Sequence, residues 1–152
     1  MAKVYYENDG DLKALTGKTV AVIGYGSQGH AHALNLRDSG LKVIVGEVRP
    51  STPQAKAKEA GFEVVDAAEA ARRGDLIALL IPDHVQSKAY KEQIEPNLSQ
   101  GKTLLFVSHS TGAVANLCER ALWLDHGNLA MDGEATQVVA AYEGAALLKA
   151  GQ

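Results

Sequence analysis

The chain has 152 residues, 46% of them hydrophobic and 22% charged, with a net charge of −3. That is one domain's worth of an ordinary globular balance, which excludes a disordered chain and gives no basic excess for nucleic acid or an anionic membrane. The apolar runs, such as Leu76–Pro82, are far shorter than the roughly 20 residues of a membrane span, the start has no leader-like apolar core, and a single cysteine, Cys118, points to a reducing cytoplasm without disulfides.

Strands and helices alternate along the chain. Lys18–Gly24 is a short apolar, β-branched run that stops at a glycine. Ser27–Ser39 reads as a helix ended by Gly40, and Lys42–Gly46 as the second strand. Ser51-Thr52-Pro53 opens a helix to Ala60, with proline in the first turn. Phe62–Val65 is the third strand. Asp66-Ala-Ala-Glu69 has the capping-box pattern of a helix start. Asp75–Ile81 is the fourth strand. Asp83-x-x-Gln86 repeats the capping-box pattern before a helix reaching about Leu98, and Lys102–Ser108 is the fifth strand. Strands apolar throughout imply burial on both faces, hence a doubly wound α/β fold with a mainly parallel sheet.

The character then changes. Ser110–Arg120 is amphipathic. Ala121–Asp125 and Leu129–Met131 flank the turn signal His126-Gly127-Asn128 and read as an antiparallel hairpin. Glu134–Lys149 is a closing helix with Val138, Val139, Tyr142 and Ala146 expected inward. The edge position of Ala121–Asp125 stays open at this point. Residues 1–152 are read as one domain, a monomer or weak homodimer.

The sharpest motif is Gly24-Tyr25-Gly26-Ser27-Gln28-Gly29, which follows a strand and opens a helix inside a βαβ unit. Gly24 suits the tight turn, Gly26 the close approach of a pyrophosphate, and Gly29 helix–strand packing. The helix N-terminus offers free N–H groups to phosphates. The bland alternative is a turn that only packs a helix on a strand. Glu47 lies 18 residues after Gly29, near the spacing of roughly 20 for an acid on the ribose hydroxyls. A carboxylate there favours NAD. Arg49, Ser51 and Thr52 follow and suit the 2′-phosphate of NADP, so NADP stays as the alternative.

The segments KVYYENDGDL, TVAVIGYGSQGHAHALNLRDSG, EAGFEVV, IPDHVQ and YKEQIEPNL resemble the N-terminal domain of ketol-acid reductoisomerase over about residues 1–106. The resemblance implies a Rossmann domain binding NADPH, or NADH in some members, in a magnesium-dependent conversion of acetohydroxy acids to dihydroxy acids. It places Tyr25, Gly26, Ser27 and Gln28 in a phosphate loop and Ser51 at the adenosine phosphate. Pro82, Asp83, His84, Val85 and Gln86 would border the nicotinamide side. The loop Glu47-Val48-Arg49 departs from the family's usual Leu-Arg-Pro, which supports NAD. His109 comes one residue late for the family's site histidine, so no catalytic residue is assigned.

From Thr103 to Gly144 the sequence resembles the C-terminal end of a polysaccharide-exporting ABC-transporter ATPase, in which His109 would be the switch histidine. The expectation is therefore a fusion of two nucleotide-binding folds, of engineered origin. A complete phosphate loop of the ATPase type is missing: Leu12 and Pro96 stand where Gly17-Lys18-Thr19 and Gly101-Lys102-Thr103 would each need a preceding glycine. No acidic constellation has metal-ligand spacing. Two outcomes are expected first: a domain that binds a nicotinamide dinucleotide without turnover, not an enzyme, or an inert scaffold; residual ketol-acid reductoisomerase or ATPase activity ranks behind both.

Overall fold

The computed structural model describes residues 10–48 and 52–150; the side chains of Thr52, Lys149 and Ala150 also lie outside the description. Contacts divide the chain into two compact units, one of residues 12–107 and one containing residues 108–152.

The larger unit is built on five strands: β1 (Thr19–Ile23), β2 (Lys42–Glu47), β3 (Glu63–Asp66), β4 (Leu76–Leu79) and β5 (Thr103–Phe106). All four pairings are parallel, in the order β3-β2-β1-β4-β5. Strand β1 is buried at every residue. Its side chains alternate between two cores, as the period of two requires. Ala21 and Ile23 join Ile44, Ile77, Leu79 and Ile94 on one face. Val20 and Val22 join Val45, Ala33 and Phe62 on the other.

The helices of this unit are α1 (Ser27–Asp38), α2 (Thr52–Glu59), α3 (Ala67–Arg73) and α4 (Asp83–Ala89). Helix α3 starts as its sequence predicts, with the Asp66 carboxylate accepting the Glu69 N–H at 2.7 Å. Its other end is closed by Lys102, whose ammonium donates to the carbonyls of Ala71, Arg72 and Gly74 at 2.9, 2.7 and 2.7 Å. The Gly-Lys-Thr run that superficially suggests phosphate binding is thus a helix cap.

Three local expectations need correction. The helix from Asp83 does not run unbroken to Leu98. It passes into a π turn at Tyr90–Ile94 and a 3-10 turn at Glu95–Asn97. Pro96 has no N–H to continue the ladder, and Asn97 donates its amide back to the Gln93 carbonyl at 2.8 Å. The second capping box does not form either: Pro82 is the N-cap of α4 and no side chain caps it. Strand β5 also differs from a fully covered strand. It ends the sheet order, and Leu105 and Val107 are exposed.

In the smaller unit, β6 (Arg120–Asp125) and β7 (Asn128–Glu134) form an antiparallel hairpin. Positive φ at His126 and Gly127 (48° and 78°) gives the two-residue turn whose twist matches its strands. Among the described residues β6 pairs only with β7, so it is not a sixth strand of the parallel sheet. Helices α5 (Thr111–Leu117) and α6 (Ala135–Ala150) complete this unit. Ala135 and Val138 are buried, and Tyr142 meets Trp123 edge-on at 5.7 Å. Tyr142 is nevertheless half exposed and Ala146 is exposed, because the hairpin covers only the first turns' inner stripe of α6. Leu122, Leu124 and Leu129 face outward from the hairpin. Among the described residues no helix is long and apolar enough to cross a membrane.

Candidate dinucleotide site

The glycine loop sits at the carboxyl end of β1, between the ends of β2 and β4. Gly24 N–H donates to the Gly46 carbonyl at 2.8 Å, and Leu80 N–H to the Ile23 carbonyl at 2.9 Å. This is where the strand order turns back from β1 to β4, the crevice in which open α/β sheets bind ligands.

Each glycine has its own geometric reason. Gly24 has φ +92°, and a Cβ there would approach Ile81 Cγ2 to 2.6 Å. A Cβ at Gly29 would overlap the Gly24 carbonyl oxygen, so this glycine lets α1 start directly against the strand end. Gly26 is different: a Cβ would meet nothing within 4 Å. It is the N-cap of α1, and no side chain caps the helix. Gly26, Ser27 and Gln28 are exposed. The first N–H groups of α1 therefore face open space with the positive end of the helix dipole. A pyrophosphate fits this cradle.

Tyr25 is used otherwise than its position in the loop suggests. Its ring is buried, edge-on to His30 and Phe62 at 5.3 and 5.7 Å. Burial pushes its phenol above the ordinary range, against a smaller opposing effect of Arg37. The hydroxyl has no hydrogen-bond partner among the described residues. The side chain of Tyr25 thus packs into the core rather than onto the loop surface. No pattern in the sequence distinguishes a tyrosine packed downward from one facing a ligand.

Glu47 ends β2 and is only 9% exposed. One carboxylate oxygen accepts the Tyr25 N–H at 3.1 Å. The acid read as a ribose ligand thus also ties β2 to the glycine loop. Arg49 and Ser51 lie outside the described residues, as does the side chain of Thr52, whose backbone begins α2.

Across the crevice, Pro82 and Asp83 are exposed at the start of α4. A cleft of about 290 Å³ lies beside them, lined by Val48, His84, Val85, Lys88, Ala89, Glu92 and Gln93. Gln86 is turned away from it. Its amide donates to the Ile81 carbonyl at 2.8 Å and to the Val107 carbonyl at 3.3 Å. His109 belongs to the smaller unit, on the rim of a second cavity with Thr111, Trp123 and Tyr142.

The acetohydroxy acid isomeroreductase NADPH-binding domain matches residues 14–143. The chain belongs to this family. A ketol-acid reductoisomerase (NADP(+)) of Leptospira biflexa is 58% identical over 106 residues, which is 70% of this chain and 32% of the relative. The chain thus spans about a third of the length of the curated relatives it matches. An NADH-preferring ketol-acid reductoisomerase from an uncultured archaeon superposes with a TM-score of 0.68 at 41% identity, over 75% of this chain and 36% of that one. A semialdehyde dehydrogenase NAD-binding protein from Cupriavidus necator, solved with calcium and NAD, has a TM-score of 0.55 at 27% identity, over 65% and 35%.

These matches establish a nicotinamide-dinucleotide-binding Rossmann domain of the isomeroreductase family. They overturn the expectation that the chain is not an enzyme: its relatives at 58% identity are oxidoreductases, and the chain corresponds to their dinucleotide-binding part. The expected change of family near Phe106 is not shown: the family match continues to residue 143.

Proposed function

We propose that the chain binds NADP(H) and supplies the dinucleotide-binding share of a ketol-acid reductoisomerase. The observation that carries this is the open, uncapped start of α1 at Gly26, seated against β1 by Gly29. In this reading the N–H groups of Gly26, Ser27 and Gln28 hold the pyrophosphate, with Gly24 and Tyr25 shaping the turn. Glu47 stands at the adenosine side, to which the sequence also assigns Arg49, Ser51 and Thr52. Pro82 and Asp83 border the nicotinamide. The bound reduced nicotinamide supplies a hydride. The chain's own residues orient that ring and exclude water from one of its faces.

The expectation of NAD rests on repulsion between Glu47 and a 2′-phosphate. The hydrogen bond from Tyr25 N–H weakens that argument, because it draws the carboxylate inward to the loop. The NADP(+) relative at 58% identity adds to the case for NADP. NAD stands as the alternative, supported by the NADH-preferring neighbour and by Glu47 itself. Among the described residues no three His, Cys, Asp or Glu side chains converge to hold the magnesium that the family resemblance implies. Among the described residues the donors do not fit that ion. The lone Cys118 supports a cytoplasmic setting.

The test is a titration with NADPH and NADH separately, following nicotinamide fluorescence and melting temperature. Saturable binding with NADPH tighter is expected. Tighter NADH would restore the ribose role of Glu47, and no binding of either would overturn the proposal.

A second reading has specific support. The compact units divide between Val107 and Ser108, and the curated relatives align over only 106 residues. Both fit a tail of separate ancestry, and its ATPase part rests on the sequence resemblance of Thr103–Gly144 alone. A comparison made with residues 107–152 alone decides it: a match confined to ATPases carries the reading, and a match to isomeroreductases removes it.

A further inference from the structure

Gln86 is a polar side chain only 5% exposed, on the first turn of α4. Its amide carries two N–H donors and bonds two backbone carbonyls, Ile81 at 2.8 Å and Val107 at 3.3 Å. These carbonyls lie just beyond β4 and β5. The ladder between the two strands ends at the pair Leu79–Phe106. Past that pair, the Gln86 amide joins the two strand extensions. Ile81 in turn packs against the glycine turn, where its Cγ2 lies 2.6 Å from the place of a Gly24 Cβ. Pro82 and Asp83 follow Ile81 directly.

We infer that Gln86 is a positioning residue that sets the nicotinamide side of the crevice by holding the ends of β4 and β5 together, without itself touching the cofactor. The inference rests on the proposed dinucleotide site. It explains why a buried amide stands where an apolar residue would fill the space: two carbonyls at the sheet's end need donors. A glutamate or methionine has none to offer at neutral pH. The adenosine half of the crevice, on β2 and the start of α1, does not depend on this clamp.

The experiment uses two probes with the full chain: NADPH, and 2′,5′-ADP, which lacks the nicotinamide half. For Gln86→Met, nearly isosteric but without donors, the NADPH Kd should rise about tenfold. The 2′,5′-ADP Kd should stay within about twofold, and the nicotinamide fluorescence enhancement should fall. Unchanged NADPH affinity, or parallel loss of both probes, overturns the inference. Wild-type protein that binds neither probe overturns the site itself, a different outcome. The wild-type chain offers a second test if the variant does not fold. The side-chain amide resonances of Gln86 should shift with NADPH and stay in place with 2′,5′-ADP. Equal shifts with both, or none with either while NADPH binds, refute it.

Discussion

Replacing Glu47 separates its two roles, holding the glycine loop and meeting the ribose. The carboxylate accepts a buried N–H from Tyr25 at 3.1 Å. Glu47→Ala leaves that amide without this acceptor, which costs about 1–3 kcal/mol. It also removes one buried methylene, Cγ, at about 0.8 kcal/mol. Relief from burying a carboxylate offsets about 1–2 kcal/mol of this. The net loss is about 1 kcal/mol, and a chain of this size then melts about 2–4 °C lower. Glu47→Gln keeps an amide oxygen for the Tyr25 N–H and loses only the charge, so its melting temperature should fall by about half as much. Removing the charge should also raise NADPH affinity relative to NADH by about fivefold to tenfold, the scale of one charge pair near a surface. Calorimetry and paired fluorescence titrations read both effects. If Glu47→Ala melts within about 1 °C of wild type, and the ratio of the two affinities is unmoved in both variants, Glu47 neither anchors the loop nor faces the ribose.

Four further predictions test the surroundings. Gly29→Ala should lose more than about 3 kcal/mol by calorimetry, because the new methyl overlaps the Gly24 carbonyl. Gly26→Ala meets only open space, so it should fold as wild type while binding NADPH at least about tenfold more weakly. Lys102→Met removes an ammonium from three carbonyls at the end of α3, and chemical denaturation should show a loss of about 2–3 kcal/mol. Acid should lower the melting temperature: hydrogen bonds from Arg73, Arg120 and Thr136 hold Glu63, Asp132 and Glu134 below the usual carboxylate range. Carboxylates with depressed folded-state values stabilise above their unfolded pKa, near about 4, and that contribution disappears as pH falls through the folded values. Arg73→Gln should flatten the acid limb of a melting-temperature profile.

The parallel sheet was legible because β1 to β4 are short, β-branched and apolar on both faces, and because each ends near a turn or cap residue. The glycine loop was legible because its three glycines stand at fixed spacing: Gly24 and Gly29 answer steric demands, and Gly26 leaves the start of α1 open. Position alone did not reveal the inward ring of Tyr25, since a loop residue can point either way. Asp83-x-x-Gln86 misled for a related reason. The pattern is that of a capping box, but Gln86 finds two nearer carbonyls and Pro82 already starts the helix with suitable φ. Pro96 was visible, yet its effect on the preceding turns depends on Asn97 and Gln93 closing the distorted end. In the tail, the turn at His126-Gly127 was readable, whereas the outward faces of Leu122, Leu124 and Leu129 are a matter of which side α6 covers.

The buried polar residues give the site a common logic. Among the described residues they are Thr19, Glu47 and Gln86. Thr19 starts β1, where its N–H donates to the Asp75 carboxylate at 2.8 Å. The other two stand at the opposite end of the sheet, at or beyond the carboxyl ends of β2 and β4. Each bonds backbone: Glu47 takes an N–H from the glycine loop, and Gln86 gives donors to the ends of two strand extensions. Burying such groups is unfavourable unless their hydrogen bonds are made. Here they are made at the two borders of the crevice, where the regular ladder has run out and the backbone would otherwise move. The double variant Glu47→Gln/Gln86→Met tests this division. If the two residues hold separate halves of the dinucleotide, their effects on NADPH affinity should add to within about 0.5 kcal/mol. Strong coupling would mean that one rigid loop assembly, rather than two independent borders, shapes the site.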